Sequence, residues 1–348
     1  MSTAGEPVTV QSIAQTGNSV VPPQYVQPPE TRPTTKTTQH HQNDAAEPSP
    51  LSINLGDEDT NRLKEEIGRA CRDWGAFHVI NHGVPIQLLD EMRCVGKSFF
   101  ENCDMEQKLR YSCDSTLPAS EGYGSRMLVA ENDSVLDWRD YFDHHTLPLS
   151  RRNPAKWPNF QSDYREVVAE YSDRMKVLAQ RLLVLISESL GLPSSCIEEA
   201  VGEFYQNITV SYYPPCPQPD LTLGLQSHSD MGAVTLLIQD DVEGLQVFKD
   251  GEWVTVRPLH GGILVLLADQ TEIITNGKYR SCQHQAITNS ERARLSVATF
   301  HDPAKTRKIL PVFEPPVYHE VMYGDYVSSW YTKGPEGKRN IDALLLTP

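Results

Sequence analysis

The fold is indicated most clearly by one stretch of the sequence, Leu245-Gln246-Val247-Phe248-Lys249-Asp250-Gly251-Glu252-Trp253-Val254-Thr255-Val256. Its two halves, Leu245–Phe248 and Trp253–Val256, are rich in β-branched and aromatic residues, which favour strands. Between them lies Asp250-Gly251, a dipeptide that favours a tight hairpin turn, because both of its positions accept a positive φ. The stretch therefore predicts two antiparallel strands joined by a short turn.

The same two-residue period continues on both sides of this hairpin. After Tyr205 the spacing of apolar residues changes from the 3.6 of helices to the 2 of strands. The other predicted strands are Ile208–Tyr213, Ala233–Gln239, Ile263–Ala268, Tyr279–Thr288 and Leu295–Phe300. Seven short strands within about a hundred residues predict a sandwich or a double-sheet jelly roll.

The preceding part of the chain is predominantly helical in pattern. One helix is predicted over Pro85 to Phe100, and a longer one from Tyr164 to about Leu190, where apolar residues recur at three- and four-residue steps. Gly191 and Pro193 mark the end of the longer helix. We therefore expect a mainly β protein with α-helices, in which a jelly-roll core (a double-stranded β-helix) is flanked by N-terminal helices.

The composition excludes several classes of protein. Of the 348 residues, 31 are basic and 46 acidic, which gives a net charge of −15. A nucleic-acid-binding protein normally shows a basic surface instead. No apolar run approaches the roughly 20 residues of a membrane-spanning helix, and the N-terminus has no signal pattern. The seven cysteines form no CxxC pair, so neither a zinc ribbon nor a disulfide framework is indicated. We expect a cytoplasmic monomer that binds a small molecule, not nucleic acid or a membrane.

The first fifty residues differ in composition from the rest. They contain a single aromatic residue, Tyr25, and a polar run from Pro33 to Asp44. Such a stretch cannot bury enough apolar surface to offset the entropy of ordering it. We expect residues 1–50 to form a largely mobile extension, ahead of a helical region at 51–204 and a β core at 205–310.

The first sign of chemistry is the pair His228 and Asp230, in the segment Leu225–Gly232. On an extended chain, side chains two positions apart point to the same side. An imidazole and a carboxylate aimed at one point are two ligands for a divalent metal. Because His-x-Asp also arises often by chance, a metal site needs a further ligand.

That further ligand is offered by His284, in a later predicted strand. Two histidines and one carboxylate on one face, with the other coordination positions open, form the facial triad of non-haem Fe(II) oxygenases. Zinc would fit a tetrahedral site but could not activate O₂.

Arg294 and Ser296 follow shortly after and share one face of a predicted strand. A guanidinium with a neighbouring hydroxyl is suited to binding a carboxylate through charge-assisted hydrogen bonds. A fixed cation near a metal site therefore points to an anionic co-substrate. The alternative is an exposed arginine in the charged stretch Glu291–Arg294.

Together these elements resemble the plant branch of the 2-oxoglutarate/Fe(II)-dependent dioxygenases. The order matches: His-x-Asp, then His after 53 residues, then Arg-x-Ser after nine more. The resemblance extends from about residue 7 to residue 345 and is carried by further segments: Trp74–Gly83, Glu121–Arg126, Tyr212–Pro217, Gly244–Val247 and Ile273–Gly277. The sequence is similar to flavanone 3-hydroxylase, flavonol synthase, anthocyanidin synthase and the jasmonate-induced oxygenases.

The resemblance implies a role for ten residues. Three would bind Fe(II): His228, Asp230 and His284. Three would hold 2-oxoglutarate: Arg294, Ser296 and Tyr213. Four would contact the substrate: Phe300, Tyr141, Asp302 and Tyr123. The C-terminal residues 311–348 would cover the active site.

The resemblance also implies an activity. The enzyme would use O₂ to hydroxylate or desaturate a small plant specialised metabolite, flavonoid-like or another aromatic, terpenoid or oxylipin compound. It would convert 2-oxoglutarate to succinate and CO₂, with ascorbate as the reductant.

Several positions depart from the family pattern, among them Cys282-Gln283, Ala268-Asp269 and three that bear on function. Ser211 stands where the family usually has asparagine, Gln285 where arginine is usual, and Asp143 where flavonoid enzymes tend to have an aromatic residue. The first two raise the alternative of a catalytically silent ligand-binding protein on the same fold, because altered groups around a metal site can abolish its function. A further alternative is an iron enzyme with another reductant, as in the related ethylene-forming oxidase.

Overall fold

The computed structural model describes residues 9–33, 49–114, 120–125, 135–161, 163–333 and 339–346. The strands in these ranges are β1 (Ser52–Asn54), β2 (Ala76–Ile80), β3 (Gly122–Gly124), β4 (Asp140–His145), β5 (Tyr205–Tyr213), β6 (Leu223–His228), β7 (Val234–Gln239), β8 (Leu245–Lys249), β9 (Glu252–Thr255), β10 (Ile263–Leu267), β11 (His284–Ile287), β12 (Arg294–Asp302), β13 (Lys308–Ile309) and β14 (Val321–Met322). The helices are α1 (Val10–Gln15), α2 (Thr60–Asp73), α3 (Ile86–Asn102), α4 (Met105–Leu109), α5 (Tyr164–Ser189), α6 (Cys196–Val201), α7 (Asp269–Ile274) and α8 (Tyr323–Lys333). None of these helices has both the length and the apolar character needed to cross a membrane.

Two sheets form the core of the described part of the chain. The larger has the strand order β1-β2-β10-β7-β12-β5-β4-β3, and its neighbours pair antiparallel except for β1 with β2. The smaller has the order β6-β11-β8-β9 and is antiparallel throughout. Side chains from both sheets, such as Thr235 and His284, line one chamber, so the sheets face each other. This is the jelly-roll core that the strand pattern predicts.

Strand β12 shows how the larger sheet separates the hydrophobic core from the site. Leu295 and Val297 are buried in the main hydrophobic cluster, together with residues of α2, α3 and α5. The alternate residues Ser296 and Phe300 face the space between the sheets. Strands β5 and β7 divide their residues in the same way. Helices therefore cover one face of the sheet and leave the other face to functional side chains.

The hairpin predicted from Asp250-Gly251 is present. Strands β8 and β9 pair antiparallel, with Lys249 opposite Glu252. Between them Asp250 has a φ of 50° and Gly251 a φ of 89°. Positive φ at both central positions is the requirement of a type I′ turn, whose twist matches that of the strands it joins.

The strand pattern differs from the sequence prediction in two respects. Besides the short strands β1, β3, β13 and β14, the strands β4 and β6 lie outside the prediction. In β4 and β6, polar side chains such as Asp143 and Gln226 interrupt the apolar alternation. The predicted strand Tyr279–Thr288 is shorter in the structure, where only His284–Ile287 is a strand. Ahead of it, the backbone N–H of Ser281 donates to a side-chain oxygen of Glu272 at 2.6 Å. Tyr279 and Cys282, in the part of the predicted strand before His284, are buried although this part forms no continuous strand pairing.

Residues 9–33 pack against the body of the protein. The backbone N–H groups of Val10 and Gln11, in the first turn of α1, each donate to the Asp140 carboxylate at 2.9 Å. Tyr25 lies edge-on to Trp138, with ring centroids 5.2 Å apart. This part of the extension, which the composition predicts to be largely mobile, therefore buries side chains against the sheet. Residues 1–8 and 34–48 lie outside the described residues.

Two carboxylates of α7 hold the C-terminal segment. The hydroxyl of Tyr326, on α8, donates to Asp269 at 2.5 Å. Glu272 is 1% exposed and accepts a hydrogen bond from Tyr318 at 2.5 Å. Its other oxygen forms an ion pair with Arg339. Because a buried carboxylate is costly without a cation, Arg339 ties the end of the chain to the core.

We expect Arg339→Ala to lower the free energy of unfolding by about 3 kcal/mol, because it leaves the Glu272 carboxylate buried without its cation. Urea denaturation of the full chain measures this loss. Arg292→Ala is the matched control, since it removes an arginine from an exposed ion pair with Asp241. We expect that change to cost less than about 0.5 kcal/mol. Equal losses in the two variants would contradict the role given to Glu272.

Candidate active site

Three side chains that can bind a metal meet where β6 and β11 pair. His228 is the last residue of β6, Asp230 lies two residues on, and His284 begins β11 directly opposite His228. The Nε2 atoms of His228 and His284 lie 3.5 and 3.8 Å from Oδ1 of Asp230. All three ligand atoms lie within 4.8 Å of one another. The structure thus brings together the two histidines and the carboxylate that the sequence singles out.

Hydrogen bonds fix the orientation of these three side chains. Nδ1 of His228 lies 2.8 Å from the backbone carbonyl two residues earlier, and Nδ1 of His284 lies 3.0 Å from the equivalent carbonyl. An N–H donated from Nδ1 leaves the lone pair of Nε2 facing Asp230. The Thr235 hydroxyl donates to Oδ2 of Asp230 at 2.5 Å, which leaves Oδ1 turned towards the imidazoles.

The electrostatics of Asp230 and His284 favour the protonation states that bind a metal, whereas, despite burial, the Asp230 carboxylate raises the pKa of His228 above its ordinary value. Burial would raise the pKa of Asp230, but His284, His228 and the Thr235 hydroxyl lower it to about 2. Burial and the charge that His228 can carry lower the pKa of His284 to about 4. At neutral pH Asp230 is therefore ionised and His284 neutral. Two imidazoles and one carboxylate are the donor set typical of Fe(II) oxygenases, so these residues fit that metal.

A buried guanidinium lies beyond the triad, in the chamber between the two sheets. Arg294 is 2% exposed and stands opposite Tyr213, with the guanidinium 5.0 Å from the centroid of that ring. Its Nη2 donates to Gln239 at 2.7 Å, whereas Nε and Nη1 have no partner among the described residues. A buried cation with unpaired donors is costly unless it binds an anion. The chamber therefore fits a carboxylate ligand.

Hydroxyl groups surround this cation. Ser296 lies on the same face of β12 as Arg294, and Tyr213 and Ser211 lie on the adjoining strand β5. Burial would raise the pKa of Tyr213, but Arg294 and Arg139 lower it, with help from the Ser296 and Ser211 hydroxyls. The chamber thus places these three hydroxyl groups beside two cations.

The departures at Ser211 and Gln285 both have polar partners. Nη1 of Arg139 donates to the Ser211 hydroxyl at 3.2 Å. The Gln285 amide donates to Gln246 at 2.9 Å. Neither residue takes the place of a triad ligand, so the donor set for the metal is intact.

Two glycines allow the chamber to close around its side chains. A Cβ atom at Gly244 would lie 2.7 Å from Cδ of Arg294, and one at Gly224 would lie 2.6 Å from Cδ1 of Tyr213. Both separations are shorter than real Cβ contacts, so only glycine leaves room for these side chains. Gly244 opens the segment Gly244–Val247, and this close approach gives a physical reason for its glycine.

A second cavity adjoins the chamber and shares His228 and Asp230 with it. Alternate residues of β4, β5 and β12 form one wall, and Trp330 and Tyr331 of α8 form another. This wall of the larger sheet includes Tyr141, Asp143, Asn207, Thr209, Phe300 and Asp302. A molecule bound in the cavity would therefore lie next to the triad.

Three of the four predicted substrate contacts line this cavity: Phe300, Tyr141 and Asp302. Tyr123 does not. It is 2% exposed, its ring lies 5.7 Å from that of Phe99, and its hydroxyl donates to Asp140 at 3.3 Å. The alternation of β3 turns Tyr123 towards α3, which makes it a core residue and corrects the prediction.

Sequence analysis did not assign several residues that line the site, including Arg139, Thr209 and Trp330. Arg139 lies two positions before Tyr141, and Thr209 two positions before Ser211. The two-residue period that links Arg294 to Ser296 also reaches Thr209 on the predicted strand β5, and it reaches Arg139 if the strand β4 is extended to it. Trp330 lies in residues 311–348, which the resemblance places over the active site, but nothing in the sequence of α8 singles out this residue.

The chain matches two family models. Residues 204–303 match the 2OG-Fe(II) oxygenase superfamily, and residues 50–160 match the N-terminal model described as non-haem dioxygenase in morphine synthesis. Jasmonate-induced oxygenase 4 of Arabidopsis thaliana is 40% identical over 98% of this chain and 97% of its own. Leucoanthocyanidin dioxygenase of Malus domestica is 35% identical over 86% of each.

A solved structure agrees with these matches. The crystal structure of JOX2 in complex with 2OG, Fe and JA superposes with a TM-score of 0.86, at 35% identity and over 99% of both chains. Family models, relatives and fold thus coincide with the site built from His228, Asp230, His284 and Arg294. The chain belongs to the 2-oxoglutarate/Fe(II) oxygenase superfamily, a family of oxidoreductases whose cofactors are Fe(II) and 2-oxoglutarate, as the sequence predicts.

Proposed function

We propose that this enzyme hydroxylates or desaturates a small plant specialised metabolite bound in the cavity next to the triad. The observation that carries the proposal is the buried guanidinium of Arg294. Its unpaired N–H groups lie in a chamber that opens on His228, Asp230 and His284. An anion-binding cation beside a three-ligand metal site is the arrangement that a 2-oxoglutarate-dependent oxidation requires.

His228, Asp230 and His284 would hold the iron through Nε2, Oδ1 and Nε2. Bound there, Fe(II) supplies the redox chemistry by which O₂ oxidises the substrate while 2-oxoglutarate is decarboxylated to succinate and CO₂. The protein's own part is to bind and orient the reactants. Thr235 takes part by holding Oδ2 of Asp230, so that Oδ1 stays directed at the metal position.

Arg294 binds the distal carboxylate of 2-oxoglutarate in this proposal, with Ser296 and Tyr213 as hydroxyl partners. Charge-assisted hydrogen bonds from a guanidinium are about twice as strong as neutral ones, and they fix the orientation of a planar anion. Gln239 holds one arm of the guanidinium and so leaves the remaining donors for the ligand.

The substrate lies against Phe300 and Tyr141, with Asp302 as a hydrogen-bond acceptor. Trp330 and Tyr331 of α8 cover the cavity from the opposite side and exclude water from the reacting groups. A flavonoid-like or other aromatic, terpenoid or oxylipin metabolite is supported by the names of the relatives and by the JA bound to JOX2.

The structure favours catalysis over the two alternatives. A silent ligand-binding protein was suggested by Ser211 and Gln285, yet both side chains have partners and the metal donor set is complete. An iron enzyme that works without 2-oxoglutarate would have no use for the unpaired donors of the buried Arg294.

We further propose that the enzyme is a cytoplasmic monomer that uses ascorbate as a reductant and does not bind nucleic acid. All seven cysteines are free thiols, which suits a reducing compartment. The net charge of −15 disfavours binding to a phosphate backbone.

We expect Asp230→Ala to reduce succinate formation from 2-oxoglutarate by more than about 100-fold. Loss of an outer-sphere partner alone typically costs 10- to 100-fold, and this change removes a ligand. Succinate and CO₂ are quantified with purified protein, Fe(II), ascorbate and a plant metabolite extract, and mass spectrometry identifies the compound that gains an oxygen atom or loses two hydrogen atoms. Asp250→Asn, at the exposed hairpin turn, is the control. Unchanged turnover in Asp230→Ala would disprove the proposed metal site.

We expect Arg294→Lys to raise the KM for 2-oxoglutarate by about 10- to 100-fold with a smaller effect on kcat. Lysine keeps the charge but loses the planar fork of donors. Steady-state kinetics at saturating substrate extract separates the two constants. If KM stayed unchanged while the protein remained folded by circular dichroism, the co-substrate would have to bind elsewhere.

A further inference from the structure

The wall of the proposed substrate cavity bears two aspartate side chains. Asp143 on β4 and Asp302 on β12 both point into the cavity, because they share the face that bears Tyr141 and Phe300. Both carboxyl groups lie deep in the protein, and each is only partly accessible, from the cavity itself. A third carboxylate, Asp137, lines the same cavity.

Asp143 is held in place by the neighbouring strand. Thr209 lies directly opposite it in the β4–β5 register, and the Thr209 hydroxyl donates a hydrogen bond to the Asp143 carboxylate. Burial raises the pKa of Asp143 to about 6, although Thr209 and Arg139 act to lower it. The carboxyl group therefore occupies a fixed position in an environment of low polarity.

Asp302 occupies a space that a glycine creates beside the metal loop. A Cβ atom at residue 232 would come within 1.9 Å of its Oδ1, so Gly232 is required for this packing. Burial and the negative charge of Asp230 raise the pKa of Asp302 to about 7. The Asp302 carboxyl group thus lies near Asp230, in the same cavity as Asp143.

Arg139 is the cation of this cavity, and its charge is matched within the protein. It donates to Ser211, lies 5.4 Å from the centroid of the Tyr141 ring, and attracts Asp137 and Asp143. Among the described residues that line the cavity, four carboxyl groups, one of them the triad residue Asp230, therefore accompany one guanidinium. The wall offers carboxyl oxygens as hydrogen-bond acceptors, and the charge of its one guanidinium is already matched.

We infer that Asp143 and Asp302 determine substrate specificity, and that the substrate presents hydrogen-bond donors, either hydroxyl or ammonium groups, to this wall and carries no carboxylate there. This rests on the proposed function, which places the substrate in this cavity. A carboxylate there would bring a further negative charge beside these carboxyl groups, in a poorly solvated space whose guanidinium, Arg139, is already matched by Asp137 and Asp143. Hydroxyl or ammonium groups would satisfy both acceptors, while Phe300 and Trp330 contact the apolar part of the molecule.

The test compares three probes that share one skeleton: 3-phenylpropan-1-ol, 3-phenylpropan-1-amine and 3-phenylpropanoate. Each is titrated calorimetrically into the full chain loaded with Fe(II) and 2-oxoglutarate under argon. We expect at least one of the two donor probes to bind about 10-fold or more tightly than the carboxylate. Preference for the alcohol or for the amine then identifies the donor. A panel in which neither binds more tightly than the carboxylate overturns the inference, whichever variants fold.

The double variant Asp143→Asn/Asp302→Asn assigns the preference to these residues. It keeps the shape of both side chains and removes their charge, so we expect the preference to fall to within about 3-fold. The control Asp250→Asn changes charge at a remote turn and should keep the preference. A preference that survives in a folded double variant contradicts the assignment.

Succinate formation by the same preparations separates this inference from the proposed function. If donor probes are preferred but no extract supports succinate formation, the proposed reaction fails while the specificity of the cavity stands. If succinate forms and the carboxylate probe binds most tightly, the reaction stands and the specificity fails.

Discussion

The two-residue alternation of the strands in the larger sheet is the constraint on which the site depends. Each strand must satisfy two environments, because helices cover one face and the cavities occupy the other. In β12, Leu295 and Val297 pack beneath the helices, whereas Arg294, Ser296 and Phe300 line the chamber between the sheets. A slip of one residue in the register would place apolar side chains in the active site and a guanidinium in the core. Fold stability and catalytic geometry are therefore determined by the same pairing.

Helix α7 carries two buried carboxyl groups, Asp269 and Glu272, and it connects the Asp230 loop to the C-terminal segment. The backbone N–H of Asp269 donates to the carbonyl of Asp230 at 2.9 Å, which fixes the loop that carries a metal ligand. The side chain of Asp269 binds Tyr326, and Glu272 binds Arg339. One short helix therefore contacts the loop that bears Asp230 and also the C-terminal segment, through Tyr326 and Arg339. These contacts link the triad to the helix that lines the opposite side of the cavity.

The metal-binding and co-substrate residues could be predicted from the sequence, whereas part of the cavity wall could not. His228, Asp230 and His284 could be identified because strand alternation and the spacing of the motifs constrain them, and Arg294 and Ser296 follow from the same alternation. Strand β4 could not be predicted from the pattern, because its cavity face is polar. The position of Asp143 in the cavity wall therefore could not be predicted either. Tyr123 was assigned to the substrate although it lies in the aromatic core. Which face a short strand such as β3 presents depends on its partners, and those are fixed by tertiary pairing rather than by local sequence.

Helix α1 belongs to the folded body of this enzyme, because its first turn binds the buried carboxylate of Asp140. The carboxylate of Asp140 is fully buried and accepts hydrogen bonds from Val10, Gln11, Ser125 and Tyr123. The match to the N-terminal family model begins at residue 50. A chain that started there would lose two of these four donors, and the buried Asp140 carboxylate would keep fewer hydrogen bonds. Asp140 lies between two residues of the cavity wall, Arg139 and Tyr141. The N-terminal residues Val10 and Gln11, in a stretch of low apolar content, thus support the strand that forms part of the cavity wall.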